Sequence, residues 1–228
     1  MKRIVAALLL VSAFAAHAGI QVDATRVIYN GDEKSASLPI HNDSADAYMV
    51  QTWLDKGDST KVENKLPMVV VPPIVKLDAQ KSAILRFIYS GQGFPQDQET
   101  LLWVNVQEIP PTPKQENVLQ VAVRTRIKLF YRPSSLHTTL DEQVHKLRWQ
   151  KAGNQLLAIN DGPLHITFGS VQMQGSNGKP IAVDANMVDP HNRLAIAIPA
   201  GARVGNTVSF SYINDFGGRT EVKDAIVH

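Results

Sequence analysis

Cysteine is missing from this 228-residue chain, and its absence is the first limit on how the protein is built. Without cysteine there are no disulfides and no thiol nucleophile. The folded state must therefore be held together by packing. Beyond the N-terminal segment described next, about 210 residues remain, which is enough for one large or two small domains.

Long apolar runs are also missing, apart from one at the N-terminus. There, Lys2 and Arg3 precede an apolar run over 4–16, and a small-x-small cleavage site follows at 16–18. This order of features is typical of a secretory signal peptide. We therefore expect residues 1–18 to be removed. No later run approaches the roughly 20 apolar residues that a membrane span requires, so we expect no membrane insertion.

Neither sign of charge is in excess once this segment is removed. Residues 1–18 hold two of the 23 basic residues and none of the 21 acidic ones, so the exported chain has equal numbers of each. A balanced chain gives no electrostatic reason to bind nucleic acid or an anionic membrane surface. We expect neither as a partner.

Motifs for catalysis and metal binding are absent from the sequence. There is no Gly-x-Ser-x-Gly elbow and no glycine loop of the kind that cradles phosphates. The histidines do not have the His-x-x-x-His spacing of a zinc site. The sequence thus indicates a protein that is not an enzyme and needs no metal or cofactor. The histidines are His17, His41, His137, His145, His165, His191 and His228.

Short β-like segments recur through the first half, separated by turn sequences such as those at 30–32 and 42–44. Seven short strands in about 110 residues are typical of an immunoglobulin-like sandwich. Pro72-Pro73 lies inside the fourth segment, which predicts an edge strand or one that switches sheets, with a cis bond as a further option. The segments are Ile20–Tyr29, Ser35–His41, Ala47–Leu54, Met68–Leu77, Ser82–Tyr89, Leu101–Ile109 and Val118–Tyr131.

The β pattern begins again after residue 134, which predicts a second β-sandwich domain. We expect an N-terminal domain over 19–134 and a C-terminal domain over 135–228. The second set of segments is Lys146–Gln150, Gln155–Ile159, Leu164–Met173, Ile181–Val183, Arg193–Ile198, Thr207–Ile213 and Thr220–Val227.

The stretch over 117–133, NVLQVAVRTRIKLFYRP, joins a long apolar alternation to a cluster of positive charge. A β-strand places such a pattern on two separate faces, one apolar and one cationic. If the strand lies in the middle of a sheet, the apolar row is core. If it lies at an edge, the row and the unpaired backbone are open to an incoming strand.

Several motifs together resemble the periplasmic chaperones of the chaperone–usher pathway, which assembles pili and fimbriae. The signature over 94–111, FPQDQETLLWVNVQEIPP, is the longest, and the resemblance spans essentially all of the chain after residue 18. The short connection over 112–116 resembles the subfamily that serves rod-like pili. The shorter motifs are TRVIY at 25–29, KLFYRP at 128–133 and SYINDFGG at 211–218.

The resemblance implies two immunoglobulin-like domains in an L or boomerang arrangement, located in the periplasm. Such a protein binds pilus or fimbrial subunits and delivers them to an outer-membrane usher. The subunits lack the last strand of their own sandwich, and the chaperone supplies it by donor-strand complementation. Leu119, Val121 and Val123 would be the donor side chains. The apolar edge also allows a self-capping homo-oligomer of the free protein.

The resemblance further assigns two groups of charged residues. Arg26 and Lys128 would hold the C-terminal carboxylate of the subunit by charge-assisted hydrogen bonds. Lys128 and the donor row have opposite parity, so a bulge or a strong twist is expected to reconcile them. A second group would be a structural charge network between the domains. Its members are Glu99, Arg132 and Asp215.

Residues outside these motifs receive simpler interpretations. Arg124 and Arg126 are taken as solvated surface charges. An alternative function is a secreted β-sandwich adhesin or carbohydrate-binding protein, in which exposed Trp53 or Trp149 would stack on sugars. The alternation over 49–54 instead predicts that Trp53 packs in the core between the sheets.

Overall fold

The computed structural model describes residues 19–57, 65–113, 118–175, 178–202 and 204–228, and the predicted signal peptide lies outside these ranges. Within these ranges the fold is all-β, as expected, and contains one short helix, α1 (Leu140–His145). The strands are β1 (Ile20–Val22), β2 (Arg26–Asn30), β3 (Ala36–Asn42), β4 (Tyr48–Asp55), β5 (Met68–Val71), β6 (Ile74–Leu77), β7 (Ser82–Tyr89), β8 (Thr100–Ile109), β9 (Arg124–Arg132), β10 (Arg148–Ala152), β11 (Gln155–Asn160), β12 (Ile166–Gly175), β13 (Pro180–Val183), β14 (Met187–Val188), β15 (Asn192–Ala197), β16 (Val204–Ile213) and β17 (Arg219–Ile226).

The N-terminal half is a sandwich of two sheets. One has the strand order β1-β3-β7-β5, and the other, here called the β9 sheet, has the order β2-β9-β8-β4-β6. Alternate side chains of both sheets meet in one core, in which Leu38, Phe87, Leu102 and Leu129 are fully buried. The period-2 pattern of the sequence therefore becomes one inward and one outward row on each strand.

Two predicted segments each supply strands to both sheets. The segment over 68–77 changes sheets at Pro72-Pro73, where the Val71–Pro72 bond is cis, and this confirms the prediction. The segment over 20–29 also divides, so its prediction as one strand is wrong. Its inward residues have even numbers up to Ala24 and odd numbers from Val27, and this change of phase carries the chain from one sheet to the other.

The C-terminal half builds a separate core from the sheets β10-β11-β15 and β13-β12-β16-β17, with β14 paired to β12. Trp149 packs there against Phe168 and Phe210. Helix α1 was missed by the strand-based prediction. It begins at a capping box in which Thr139 and Glu142 satisfy each other's backbone N–H groups. The predicted boundary after residue 134 stays a prediction.

Among the helices of the described ranges, none is long and apolar enough to cross a membrane. The same ranges contain no cluster of three or more His, Cys, Asp or Glu residues that could hold a metal ion. The structural features that remain to be explained lie along β9 and at the contact between the two sandwiches.

Candidate functional site

Strand β9 is paired along nearly its whole length on one side and along only part of it on the other. Its pairing with β8 runs without interruption from Thr100↔Tyr131 to Gln107↔Arg124. On the other side, β2 pairs in parallel only from Lys128 onward, because β2 begins at Arg26. The edge of β9 over 124–127 is therefore open. An open edge presents unpaired N–H and C=O groups to which another strand can add.

Residues 118–123, here called the donor segment, precede β9 without forming a strand. The prediction of a strand over 118–131 is thus wrong for its first six residues. The last backbone bond to β8 runs from the N–H of Glu108 to the carbonyl of Val123, at 3.0 Å. Beyond it stand Pro110 and Pro111, which have no N–H to donate. The apolar alternation continues, but its partner strand ends.

The predicted donor side chains are the most conspicuous exposed apolar residues of this segment. Leu119, Val121 and Val123 are 92%, 64% and 51% exposed. Side chains of this type are normally buried, and each contributes on the order of 1.5 to 3 kcal/mol when it is. A contiguous exposed row marks a surface that another apolar surface covers.

The two faces of β9 separate apolar from cationic residues. Ile127, Leu129 and Tyr131 point into the core, while Lys128 lies on the outer face. The register with β8 contains no shift over 124–131, so the expected bulge is not present there. None is needed, because Lys128 meets Arg26 and the second domain on the outer face, whereas the donor row lies beyond the end of the sheet.

The predicted anchor residues are direct neighbours across two parallel strands, since Arg26 pairs with Lys128. Arg26 donates from Nη1 to the carbonyl of Ile213 at 2.8 Å, and Lys128 donates from Nζ to Thr167 Oγ1 at 3.3 Å. Both acceptors belong to the second domain. The Nε of Arg26 is buried and has no hydrogen-bond partner within the described parts of the chain. The two cations are held together but incompletely neutralised.

Burial lowers the pKa of both groups, and the charge of Arg26 lowers that of Lys128 further. Burial, followed by the charge of Arg26, lowers the pKa of Lys128 to about 8, against a small opposing effect of Asp189. Burial also lowers the pKa of Arg26, against the opposing charges of Asp215 and Glu99. A carboxylate arriving between these two cations would relieve the repulsion and supply acceptors.

The predicted charge network is formed, and it joins the domains. Arg132 donates to Glu99 Oε1 from Nε and Nη2 at 3.1 and 3.0 Å. It also donates to both carboxylate oxygens of Asp215 from Nη1 and Nη2, at 2.8 and 3.0 Å. Burial alone would lower the pKa of Arg132, but the two carboxylates together raise it. A bidentate geometry of this kind fixes orientation as well as charge.

One member of the network was missed from the sequence. The backbone N–H of His165 donates to Glu99 Oε2 at 2.9 Å, and its Nδ1 lies at the same distance from that oxygen. The ring of His165 also packs on Phe130. Glu99 and His165 are far apart in sequence and on different domains, so no local spacing could have revealed the contact.

The outer face of the β9 sheet carries aromatic rings beneath the cations of β9. Trp103 lies under Arg126 at 4.1 Å from guanidinium carbon to ring centre, and Trp53 lies under Arg124 at 6.0 Å. Arg126 also donates to Asp55 at 2.6 Å. Arg126 is therefore an ion-pair partner rather than a solvated charge.

The prediction that Trp53 packs in the core is wrong. In β4, the inward row consists of Val50, Thr52 and Leu54, so that Trp53 has the opposite parity. Trp149, the other candidate for sugar stacking, is 1% exposed and lies in the second core. Neither ring presents the free face that a sugar needs.

Family comparisons identify both halves of the chain. Residues 19–137 match the family "Pili and flagellar-assembly chaperone, PapD N-terminal domain", and residues 142–223 match "Pili assembly chaperone PapD, C-terminal domain". The chain is 40% identical over 208 residues to the probable fimbrial chaperone LpfB of Escherichia coli O157:H7, covering 90% of this chain and 87% of that protein. It is 33% identical over 210 residues to the chaperone protein FimC of Escherichia coli K12, covering 90% and 83%.

Solved structures agree with these matches. The crystal structure of the YadV chaperone has a TM-score of 0.79 at 33% identity, covering 90% of this chain and 98% of that one. The Salmonella enterica SafB chaperone, solved in complex with the SafA pilin, has a TM-score of 0.77 at 27% identity, covering 92% and 98%.

Proposed function

The chain belongs to the family of pili assembly chaperones, a non-enzymatic family, and we propose that it captures a pilus subunit by completing the subunit's sandwich with its donor segment. The solved complex of the similar chaperone SafB with the SafA pilin supports a pilin as the partner. The chaperone thereby covers an apolar groove that would otherwise lead the subunit to aggregate.

One observation carries the proposal: β2 fills only half of the position beside β9. A strand that adds to the open edge over 124–127 must stop where β2 begins, at Arg26. Only a chain that ends there fits, and its terminal carboxylate then lies between Arg26 and Lys128. The unpartnered Nε of Arg26 can donate to an incoming anion, and the charge of that anion would offset the repulsion that Arg26 exerts on Lys128.

The direction of the incoming strand follows from the same geometry. The carboxylate anchor lies towards the C-terminal end of β9, and the apolar donor row precedes its N-terminal end. A subunit that contacts both has a last strand parallel to β9. Leu119, Val121 and Val123 would then enter the subunit's groove, each adding on the order of 1.5 to 3 kcal/mol if fully buried.

The setting of this activity is part of the proposal. The predicted signal peptide supports export to the periplasm, and the family supports delivery of the captured subunit to an outer-membrane usher. In the absence of a subunit, a second copy of the chain could cover the exposed donor row, giving a self-capped homo-oligomer. The adhesin alternative is not favoured, because Trp149 is buried and Trp53 lies beneath Arg124.

The direct test is coexpression in the periplasm with the pilin-like proteins encoded beside it, followed by purification and native mass spectrometry. We expect a one-to-one complex that is lost in Lys128→Ala. The matched control is Lys81→Ala, which removes an exposed lysine from the loop before β7. Loss of the complex in both variants, or retention in both, would contradict the anchor. A lone monomer beside soluble, undegraded pilins would contradict the function itself.

A further inference from the structure

Four cations line the outer face of the β9 sheet beside its open edge, but they differ in their partners. Arg26 and Lys128 form the proposed carboxylate anchor. Arg126 is paired with the buried carboxylate of Asp55 and also donates to the carbonyl of Gly57 at 3.0 Å. Its charge is therefore already neutralised inside the protein.

Arg124, the remaining cation on this face, has no anionic partner among the described residues. Among the described residues, its guanidinium contacts the ring of Trp53 and no carboxylate or carbonyl. Its cross-strand neighbour on β8 is Gln107, which is neutral. Stacking on Trp53 limits the conformations of a side chain that is otherwise exposed. Arg124 thus presents a partly preorganised and unneutralised fork.

Its position relative to the anchor is fixed by strand geometry. Arg124 and Lys128 are four residues apart on a strand with no register shift, so they lie on the same face. At about 3.3 Å per residue, they are separated by roughly 13 Å along the strand. Both border the open edge. The place beside Lys128 is taken by Arg26, so an incoming chain has its last residue beside Ile127, and the third residue before its end lies beside Arg124.

We propose that Arg124 is a specificity-determining residue that binds an acidic side chain three residues before the C-terminal residue of the captured subunit. This inference rests on the proposed function, since it takes the terminal carboxylate at Lys128 as its reference point. An aspartate or glutamate there pairs with the guanidinium fork, and docking of the strand excludes water from the pair. A lysine at the same position is rejected by like-charge repulsion.

The test uses twelve-residue peptides that alternate valine and serine and end in a free carboxylate. One series carries Glu, Gln or Lys at the third position before the last residue, and a further peptide carries Glu at the second, which faces away. Dissociation constants for the full exported chain are measured by titration calorimetry. We expect the Glu peptide to bind about three to ten times more tightly than the Gln peptide, and Glu at the second position to give no gain.

Charge reversal separates recognition from general electrostatics. Arg124→Glu should invert the preference, so that the Lys peptide binds more tightly than the Glu peptide. The control, Arg86→Glu, makes the same charge change on an exposed residue of β7 in the opposite sheet and should keep the wild-type order. Rescue of the Lys peptide by Arg124→Glu is not expected from a purely structural role.

The outcomes distinguish this inference from the proposed function. If the Glu and Gln peptides bind the wild-type chain equally while Lys128→Ala abolishes binding of both, the anchor stands and the role of Arg124 is refuted. An equal change of preference in Arg124→Glu and Arg86→Glu would also refute it. If none of the peptides binds the wild-type chain, the carboxylate anchor and this inference fall together.

Discussion

Replacing Arg132 by methionine should destabilise the protein far more than replacing an arginine that has equally short hydrogen bonds on the surface. The reason is the burial of Glu99, which is 2% exposed and receives two of its hydrogen bonds from Arg132. The loss of the guanidinium should cost less at Asp215, because its side chain is 31% exposed and water can take the place of the guanidinium. The cost therefore comes mainly from the carboxylate of Glu99.

The size of the effect follows from what remains around Glu99 after the change. Breaking a buried ion pair by removing one partner costs about 3 to 5 kcal/mol. His165 still supplies its backbone N–H and its ring to the other oxygen, so we expect a loss of about 3 kcal/mol, at the lower end of this range. For a chain of this size, that corresponds to a fall in melting temperature of about 6 to 12 °C.

A double-mutant cycle, followed by urea unfolding with tryptophan fluorescence, tests this reasoning. Glu99→Gln combined with Arg132→Met leaves no uncompensated buried charge, so part of the lost stability, about 1 to 2 kcal/mol, should return. The matched control is Arg148→Met. Arg148 donates twice to Asp161, at 2.9 and 2.7 Å, but both side chains are exposed, so its loss should cost less than about 1 kcal/mol. Equal losses in Arg132→Met and Arg148→Met would refute the argument from burial.

Three further predictions concern the anchor, the donor row and the domain contact. Subunit affinity should fall about tenfold between pH 7 and pH 9, because Lys128, with a pKa of about 8, loses its charge there; Lys128→Arg should flatten this profile, and an unchanged slope would exclude Lys128 as the titrating group. Val121→Asp should reduce copurified subunit at least about tenfold with an unchanged melting temperature, since the side chain is exposed, and a wild-type yield would exclude the donor role. Gly217→Ala should cost more stability than Gly178→Ala in thermal unfolding: both have positive φ, but only at Gly217 would the new Cβ meet Thr25 of the other domain, and equal losses would contradict that contact.

Much of the fold follows from local patterns in the sequence. The alternation of apolar residues located the strands, and Pro72-Pro73 marked a change of sheet, because proline cannot continue a ladder of hydrogen bonds. In a strand with apolar residues at both odd and even positions, the same pattern does not show which row faces the core. Met49, Val50, Trp53 and Leu54 satisfy either phase, and the sequence interpretation assigned Trp53 to the wrong face.

The motifs named residues of the charge network but did not give their arrangement. Glu99, Arg132 and Asp215 came from motifs, and the structure brings them within hydrogen-bonding distance. His165 could not be found in this way, because its contact depends on how the two domains meet. The donor segment shows the opposite limit, since its residues have a strong strand pattern but form no strand, because the neighbouring strand β8 ends beside them.

The central claim is that a subunit adds a strand to β9 beside the donor segment and ends at Arg26 and Lys128. Backbone amide hydrogen exchange over 118–127, measured with and without a bound subunit, tests it most directly. We predict that exchange in this range slows strongly on binding, while the loop over 90–93 is unchanged. A stable complex in which the amides over 118–127 exchange as fast as in the free protein would contradict the account.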